Sequence, residues 1–129
     1  MRRMKKILPL LAVFLISLNV FADSFPEITL PSLKTAISEK KVTLLDVNGS
    51  DSYNSGHIPG AVDYIAHKDD VTAVLPADKN ALIVAYCGNE HCGAYAMAAE
   101  AAKKLGYTNV EHFKPGIAGW KAAGEPTEK

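Results

Sequence analysis

Short apolar runs alternate along the chain with segments whose apolar residues recur at helical spacing. Two apolar runs, at 42–47 and 81–86, have the length and β-branched content of buried strands, and 110–113 is a third strand candidate. Apolar runs that are continuous, with helical segments between them, predict strands covered on both faces. The fold class expected is therefore α/β, with a small central parallel sheet flanked by helices on both faces.

Weaker patterns fill the intervals between these strands. Two shorter extended pieces are predicted at 27–30 and 61–65, and Pro59 with Gly60 marks a turn before the second. Apolar spacing, acidic first turns and glycine or proline stops predict helices in the remaining segments. These helices are expected at about 31–37, 50–53, 69–75, 94–105 and 117–123.

The N-terminal segment has the layout of a signal peptide. Residues 1–6 carry four positive charges, and a mainly apolar run follows at 7–20. That run is shorter than the roughly 20 apolar residues that cross a bilayer. Cleavage is expected after Ala22, which leaves one domain at 23–129 in the periplasm or outside the cell, without stable membrane association. The alternative is an uncleaved N-terminal anchor helix.

Charge argues against nucleic acid as a partner. The chain has 14 basic and 14 acidic residues, and loss of the predicted leader removes four of the basic ones. A mildly acidic domain has no basic face to neutralise phosphates. A domain of this size also needs no partner to fold, so a monomer is expected.

The first candidate for chemistry is Cys87, which follows the strand at 81–86. Ligands of parallel α/β sheets bind beyond the carboxyl ends of the strands. A loop that leads into a helix directs backbone amides at such a sulfur, and a helix N-terminus lowers a thiol's pKa and favours the thiolate. The same amides can hold an oxyanion. The alternative is an ordinary buried cysteine. The candidate substrate-binding amides belong to Gly88, Asn89, Glu90, His91, Cys92 and Gly93.

Three segments in register resemble the rhodanese-like family. They are Leu-Leu-Asp-Val at 44–47 with Tyr-Asn-Ser-Gly-His-Ile-Pro-Gly-Ala at 53–61, Tyr-Cys at 86–87, and Phe-Lys-Pro-Gly-Ile-Ala-Gly-Trp at 113–120. The resemblance implies a parallel sheet between helices and a persulfide on Cys87. It also implies a sulfurtransferase that takes a sulfane sulfur from a small donor such as thiosulfate and passes it to a thiol or cyanide.

Departures from the family pattern bear on the substrate. The loop contains Glu90 and no basic residue apart from His91, so attraction of an anionic donor should be weak. Asn48 stands where many relatives have arginine. Phosphatases of related fold clamp phosphate with an arginine six positions after their cysteine, and this chain has Gly93 there. Phosphoryl transfer is therefore rejected.

The second cysteine leaves alternatives open. Cys92 is a candidate resolving thiol for a persulfide, and it is equally a candidate partner of Cys87 in a disulfide. It would do neither if it packed under the helix start, out of reach of Cys87. The functions considered are a sulfurtransferase or sulfur carrier, an exported thiol-disulfide oxidoreductase, and a non-catalytic rhodanese-like binding module.

No cofactor or metal is expected. The four histidines and two cysteines lack the close paired spacing of a structural zinc site. Asp46, at a strand end near the candidate site, is interpreted as structural. His57, in the turn before Pro59, is interpreted in the same way.

Overall fold

The structure is a computed structural model that describes residues 25–129. The predicted signal peptide and its cleavage site lie outside the described residues. Within 25–129, none of the helices combines the length and the apolar character that crossing a bilayer requires.

A parallel sheet of four strands forms the centre of the domain, which confirms the predicted fold class. The strands are β1 (Thr43–Asp46), β2 (Val62–Asp63), β3 (Ile83–Tyr86) and β4 (Val110–His112). Their spatial order is β2-β1-β3-β4, and every neighbouring pair is parallel. Asp46 of β1 is in register with Tyr86 of β3, so the carboxyl ends of these two strands lie side by side.

Helices cover both faces of this sheet because alternate strand side chains point to opposite sides. The helices are α1 (Leu30–Ser38), α2 (Ser50–Ser55), α3 (Tyr64–His67), α4 (Tyr95–Lys104) and α5 (Gly116–Ala122), with a 3-10 turn at Val71–Ala73. On one face of the sheet, Leu45, Ile83 and Ala85 pack with alanines of α4. On the other face, Leu44 and Val84 pack with side chains of α1 and α5.

Two extended segments predicted from the sequence were too long. Glu27 does form a bridge with His112, but α1 begins at Leu30 because the Thr29 side chain caps it, accepting from the amide of Ser32 at 3.3 Å. The segment predicted at 61–65 ends at Asp63, whose carboxylate caps α3. In both places a polar side chain captures free helix amides and turns an apolar stretch into a first helical turn.

Candidate active site

Cys87 directly follows β3, at the carboxyl ends of the strands. The loop 87–94 then leads into α4. Beside it, Asn48 follows β1, and a Cβ atom added to Gly88 would lie 3.5 Å from Asn48 Oδ1. The structure therefore places the cysteine loop where ligands of parallel sheets bind.

Cys87 and Cys92 are joined by a disulfide, with their Cα atoms 6.2 Å apart. The reading in which Cys92 never meets Cys87 is wrong. Neither cysteine of the described residues is a free thiol, so this is the oxidised form and it contains no Cys87 thiolate. The Cys87 side chain is buried, at 1% exposure, whereas Cys92 is partly exposed.

The sequence suggested that the amides of all six loop residues are available to a ligand, but two of these amides are bonded within the loop. His91 donates its amide to Asn89 Oδ1 at 2.9 Å, and Cys92 donates to the Asn89 carbonyl at 3.1 Å. These two bonds close a turn on Asn89. Within the part of the chain that the structure describes, the remaining four predicted amides have no hydrogen-bond acceptor. They belong to Gly88, Asn89, Glu90 and Gly93.

The first turn of α5 holds the cysteine loop from the other side. The amides of Ile117 and Ala118 donate to the carbonyls of Cys87 and Gly88, each at 2.9 Å. A trans peptide directs its N–H opposite to its carbonyl, and no cis peptide is present in the described chain. The amides of Gly88 and Asn89 therefore point away from α5.

Sequence reasoning missed this anchoring role. It used the segment 113–120 only as a family signature, although Gly116 contained a usable signal. Gly116 adopts φ +64°, a left-handed conformation that glycine accepts readily and other residues rarely do. A glycine at that point indicates a tight approach of two backbones.

Asp46 belongs to a buried hydrogen-bond network below the loop. Its Oδ2 atom accepts from the Tyr86 phenol at 2.6 Å, and its Oδ1 atom accepts from the Asn48 amide at 2.8 Å. The Tyr86 oxygen in turn accepts from the Ile58 amide at 3.1 Å. Burial, followed by the bond to Asp46, raises the pKa of Tyr86 far above its usual value, so the phenol remains a donor. These contacts connect β1, β3 and the turn after α2.

His57 fixes that turn and is 5% exposed. Its ring stacks on Tyr53 with centroids 3.7 Å apart, and its Nδ1 atom lies 2.8 Å from the Tyr53 carbonyl oxygen. Its backbone pairs in both directions with Glu128. The contacts of His57 are thus with the turn and the C-terminal segment.

Side chains of both charges lie near the loop, because Glu90 and Lys114 line one pocket. The side chains of Glu90 and His91 are largely exposed and lie 3.4 Å apart. The Nδ2 atom of Asn48 is buried without an acceptor. This nitrogen is a further hydrogen-bond donor near the loop, in addition to the backbone amides, and the sequence did not reveal it. Among residues 25–129, no three His, Cys, Asp or Glu side chains are grouped closely enough to hold a metal ion.

A family model described as the rhodanese-like domain matches residues 29–123. The chain belongs to the rhodanese-like domain family. The matched region contains all four strands, both cysteines and the whole of α5.

Two curated proteins share this rhodanese-like sequence. The HTH-type transcriptional regulator Rv0324 of Mycobacterium tuberculosis is 37% identical over 90 residues, which are 69% of this chain and 38% of that protein. YrkF of Bacillus subtilis, a proposed sulfur carrier protein, is 33% identical over 101 residues, which are 77% of this chain and 52% of YrkF. The chain thus spans about half, or less, of the length of these relatives.

Solved structures share the rhodanese-like fold. The rhodanese-like domain of the Anabaena protein Alr3790 is 28% identical with a TM-score of 0.63, covering 81% of this chain and 80% of that one. The human single-domain sulfurtransferase TSTD1 is 22% identical with a TM-score of 0.58, covering 77% of this chain and 97% of that one. At the latter identity the likeness concerns the fold alone.

Proposed function

We propose that this rhodanese-like domain is a sulfurtransferase or sulfur carrier that works through a persulfide on Cys87. Rhodanese-like sulfurtransferases act on small sulfur donors and acceptors, and a sulfur-carrier role is proposed for the relative YrkF. The observation that carries the proposal is the position of Cys87, at the carboxyl end of β3 and at the start of a loop in which four amides have no acceptor.

The first half-reaction is a displacement at sulfur. Once the disulfide is reduced, the Cys87 thiolate attacks the sulfane sulfur of a donor such as thiosulfate. The S–S bond of the donor breaks, and sulfite leaves with the bonding electron pair. The outer sulfur of the persulfide carries the negative charge. The free amides of Gly88 and Asn89 are fixed in advance by α5, and such fixed donors stabilise developing charge.

The second half-reaction returns the enzyme to its thiolate. A thiol or cyanide attacks the outer sulfur, and the Cys87 thiolate leaves. Because the Cys92 sulfur occupies this position in the oxidised form, the cycle requires a reduced loop. The domain should therefore be inactive as the disulfide and active after reduction.

The test uses the reduced protein with thiosulfate under anaerobic conditions. We expect the Cys92→Ser variant to gain one sulfur atom on Cys87 by mass spectrometry and to release one sulfite per chain. Cys87→Ser is the matched control, because it retains the other cysteine, and it should gain nothing. Equal sulfite release from the two variants would contradict the proposal.

The disulfide favours a second candidate, a thiol-disulfide oxidoreductase that uses Cys87 and Cys92. Such an enzyme needs both sulfurs to reduce a disulfide substrate, whereas sulfur loading needs Cys87 alone. The two functions separate in the Cys92→Ser variant. Loss of all sulfite release there, with wild-type disulfide reduction intact, would favour the oxidoreductase.

We propose that the protein acts outside the cytoplasm, because its N-terminal residues have the layout of a signal peptide. We also propose that it is a monomer that acts on small molecules. N-terminal sequencing of the protein recovered from the producing cells tests the location. A mature chain that begins at Asp23 is expected, and a chain that still begins at Met1 would contradict it. Light scattering tests the monomer.

A further inference from the structure

We infer that Cys92 discharges the Cys87 persulfide as hydrogen sulfide, so that the domain consumes a dithiol reductant and releases sulfide. The inference rests on the proposed function and adds a fate for the transferred sulfur. In this scheme the Cys87–Cys92 disulfide is the product of each turnover.

Cys92 lies within reach of the Cys87 sulfur. The two sulfurs are bonded, with Cα atoms 6.2 Å apart, so Cys92 reaches the Cys87 sulfur without any rearrangement of the sheet. A persulfide extends that position by only one atom. The inner persulfide sulfur is the one that Cys92 already contacts.

The turn on Asn89 is the second argument. The Asn89 side-chain oxygen binds the His91 amide and its carbonyl binds the Cys92 amide. These bonds hold the chain on both sides of the turn, so Cys92 is presented to Cys87 with little loss of conformational freedom. An internal thiol placed this closely competes effectively with acceptors in solution.

A purely structural role explains the disulfide less well. The two cysteines are separated by only 5 positions, so the bond closes a small loop and removes less entropy from the unfolded chain than a bond across a long loop would. The loop carbonyls are already held by the amides of Ile117 and Ala118. A redox role remains as the reason for a second sulfur at this point.

The step balances in atoms and electrons. The Cys92 thiol gives its proton to the outer sulfur and its sulfur attacks the Cys87 sulfur; a Cys87–Cys92 bond forms, the bond to the outer sulfur breaks, and hydrosulfide leaves with the electron pair. In this step the Cys92 sulfur is oxidised and the outer sulfur is reduced to sulfide, whereas the Cys87 sulfur was oxidised when the persulfide formed. An external dithiol then reduces the disulfide. Overall, thiosulfate and a dithiol give sulfite, sulfide and the oxidised dithiol.

Exposure sets the direction of the reductive step. Cys92 is partly exposed and Cys87 is 1% exposed, so an incoming thiolate attacks Cys92. The leaving group is then the Cys87 thiolate, beside the free amides of Gly88 and Asn89. Displacement is faster when the leaving thiolate is the more stabilised one. Reduction thus regenerates the nucleophile that starts the next cycle.

The experiment is a single turnover with thiosulfate, which yields sulfite but no sulfide unless a thiol reduces the persulfide. Reduced protein, freed of reductant, is mixed anaerobically with thiosulfate, and sulfite, sulfide and protein mass are measured. We expect wild type to release one sulfide per sulfite and to end as the disulfide. Cys92→Ser and Cys92→Ala should release sulfite, retain the persulfide and release no sulfide.

The outcomes separate this inference from the proposed function. Persulfide retained by wild type, without sulfide, would overturn the inference and leave sulfur transfer standing. Sulfide released equally by wild type and both Cys92 variants would also overturn it. No sulfite from any of the three proteins would overturn the proposed function, and the inference with it.

Discussion

Gly116 approaches Cys87 so closely that a Cβ atom on Gly116 would lie 2.5 Å from the Cys87 carbonyl oxygen and 2.8 Å from the Asn89 amide nitrogen. Both neighbours are backbone atoms and neither can turn aside. The glycine thus permits the contact through which α5 holds the cysteine loop. The closing motif of the family acts on the site by shape, at a distance of about thirty positions along the chain.

Gly116→Ala should destabilise the domain and displace the loop. A left-handed alanine costs about 1–2 kcal/mol by itself, and the clash with Cys87 adds to it, for a total above about 3 kcal/mol. Gly124→Ala is the matched control, because Gly124 has φ +77° and open space around its Cβ position. Urea unfolding measures both. Equal losses would show that the close approach is unimportant.

Tyr86→Phe should weaken the network on Asp46. The change removes a 2.6 Å bond to a buried carboxylate and leaves the Ile58 amide without its acceptor, so we expect a loss of about 2 kcal/mol in the free energy of unfolding. Tyr107→Phe is the control, because the Tyr107 hydroxyl donates to the neutral carbonyl of Pro76. A loss in Tyr86→Phe no larger than in the control would argue against a special role for Asp46.

The sequence predicted the architecture because the two central strands, β1 and β3, lie in mainly apolar runs, and such runs reflect burial on both faces. It failed at Leu30 and Asp63, where helix caps decide the boundary. There a single side-chain hydrogen bond outweighs the extended propensity of the residues around it. That competition depends on local geometry, which apolar spacing does not describe.

For the candidate site, the sequence predicted correctly that Cys87 follows a strand, but it did not show the partners of the cysteine loop. Strand order is needed to bring Asn48 beside Gly88, and tertiary contact is needed to bring Ile117 to the Cys87 carbonyl. The disulfide with Cys92 was undecided because five positions along a loop can either unite or separate two sulfurs. In the structure, the turn on Asn89 lies between the two cysteines and accompanies their bond.

We expect the protein to lose stability in mild acid, because His112 takes up a proton more readily in the unfolded chain. Burial, against an opposing effect of Glu27, lowers the pKa of His112 below 6.5, and its Nε2 atom is buried without a partner. The folded protein thus binds this proton less tightly than the unfolded chain. Its contribution to stability is full above pH 6.5 and declines as the pH falls towards the folded pKa.

His112→Gln should therefore show a smaller difference in unfolding free energy between pH 7 and pH 5 than wild type. The variant also loses the stacking of the His112 ring on Tyr95, so absolute stabilities are not the readout. His91→Gln removes an exposed histidine and should leave the difference as it is in wild type. Identical pH differences in all three proteins would contradict the prediction.

Glu90→Lys should improve the use of thiosulfate if Cys87 transfers sulfur as proposed. The Glu90 side chain is largely exposed on the loop, so its charge acts on an approaching dianion through water. Two charges a few ångströms apart in water interact by about 1 kcal/mol. We therefore expect the KM for thiosulfate to fall about 3- to 10-fold, with kcat unchanged. The gain should shrink at high salt, which screens exposed charges. Glu39→Lys makes the same charge change ahead of β1, at the amino ends of the strands, and should leave KM unaltered. A similar KM in the two variants would mean that the loop's charge does not select the donor.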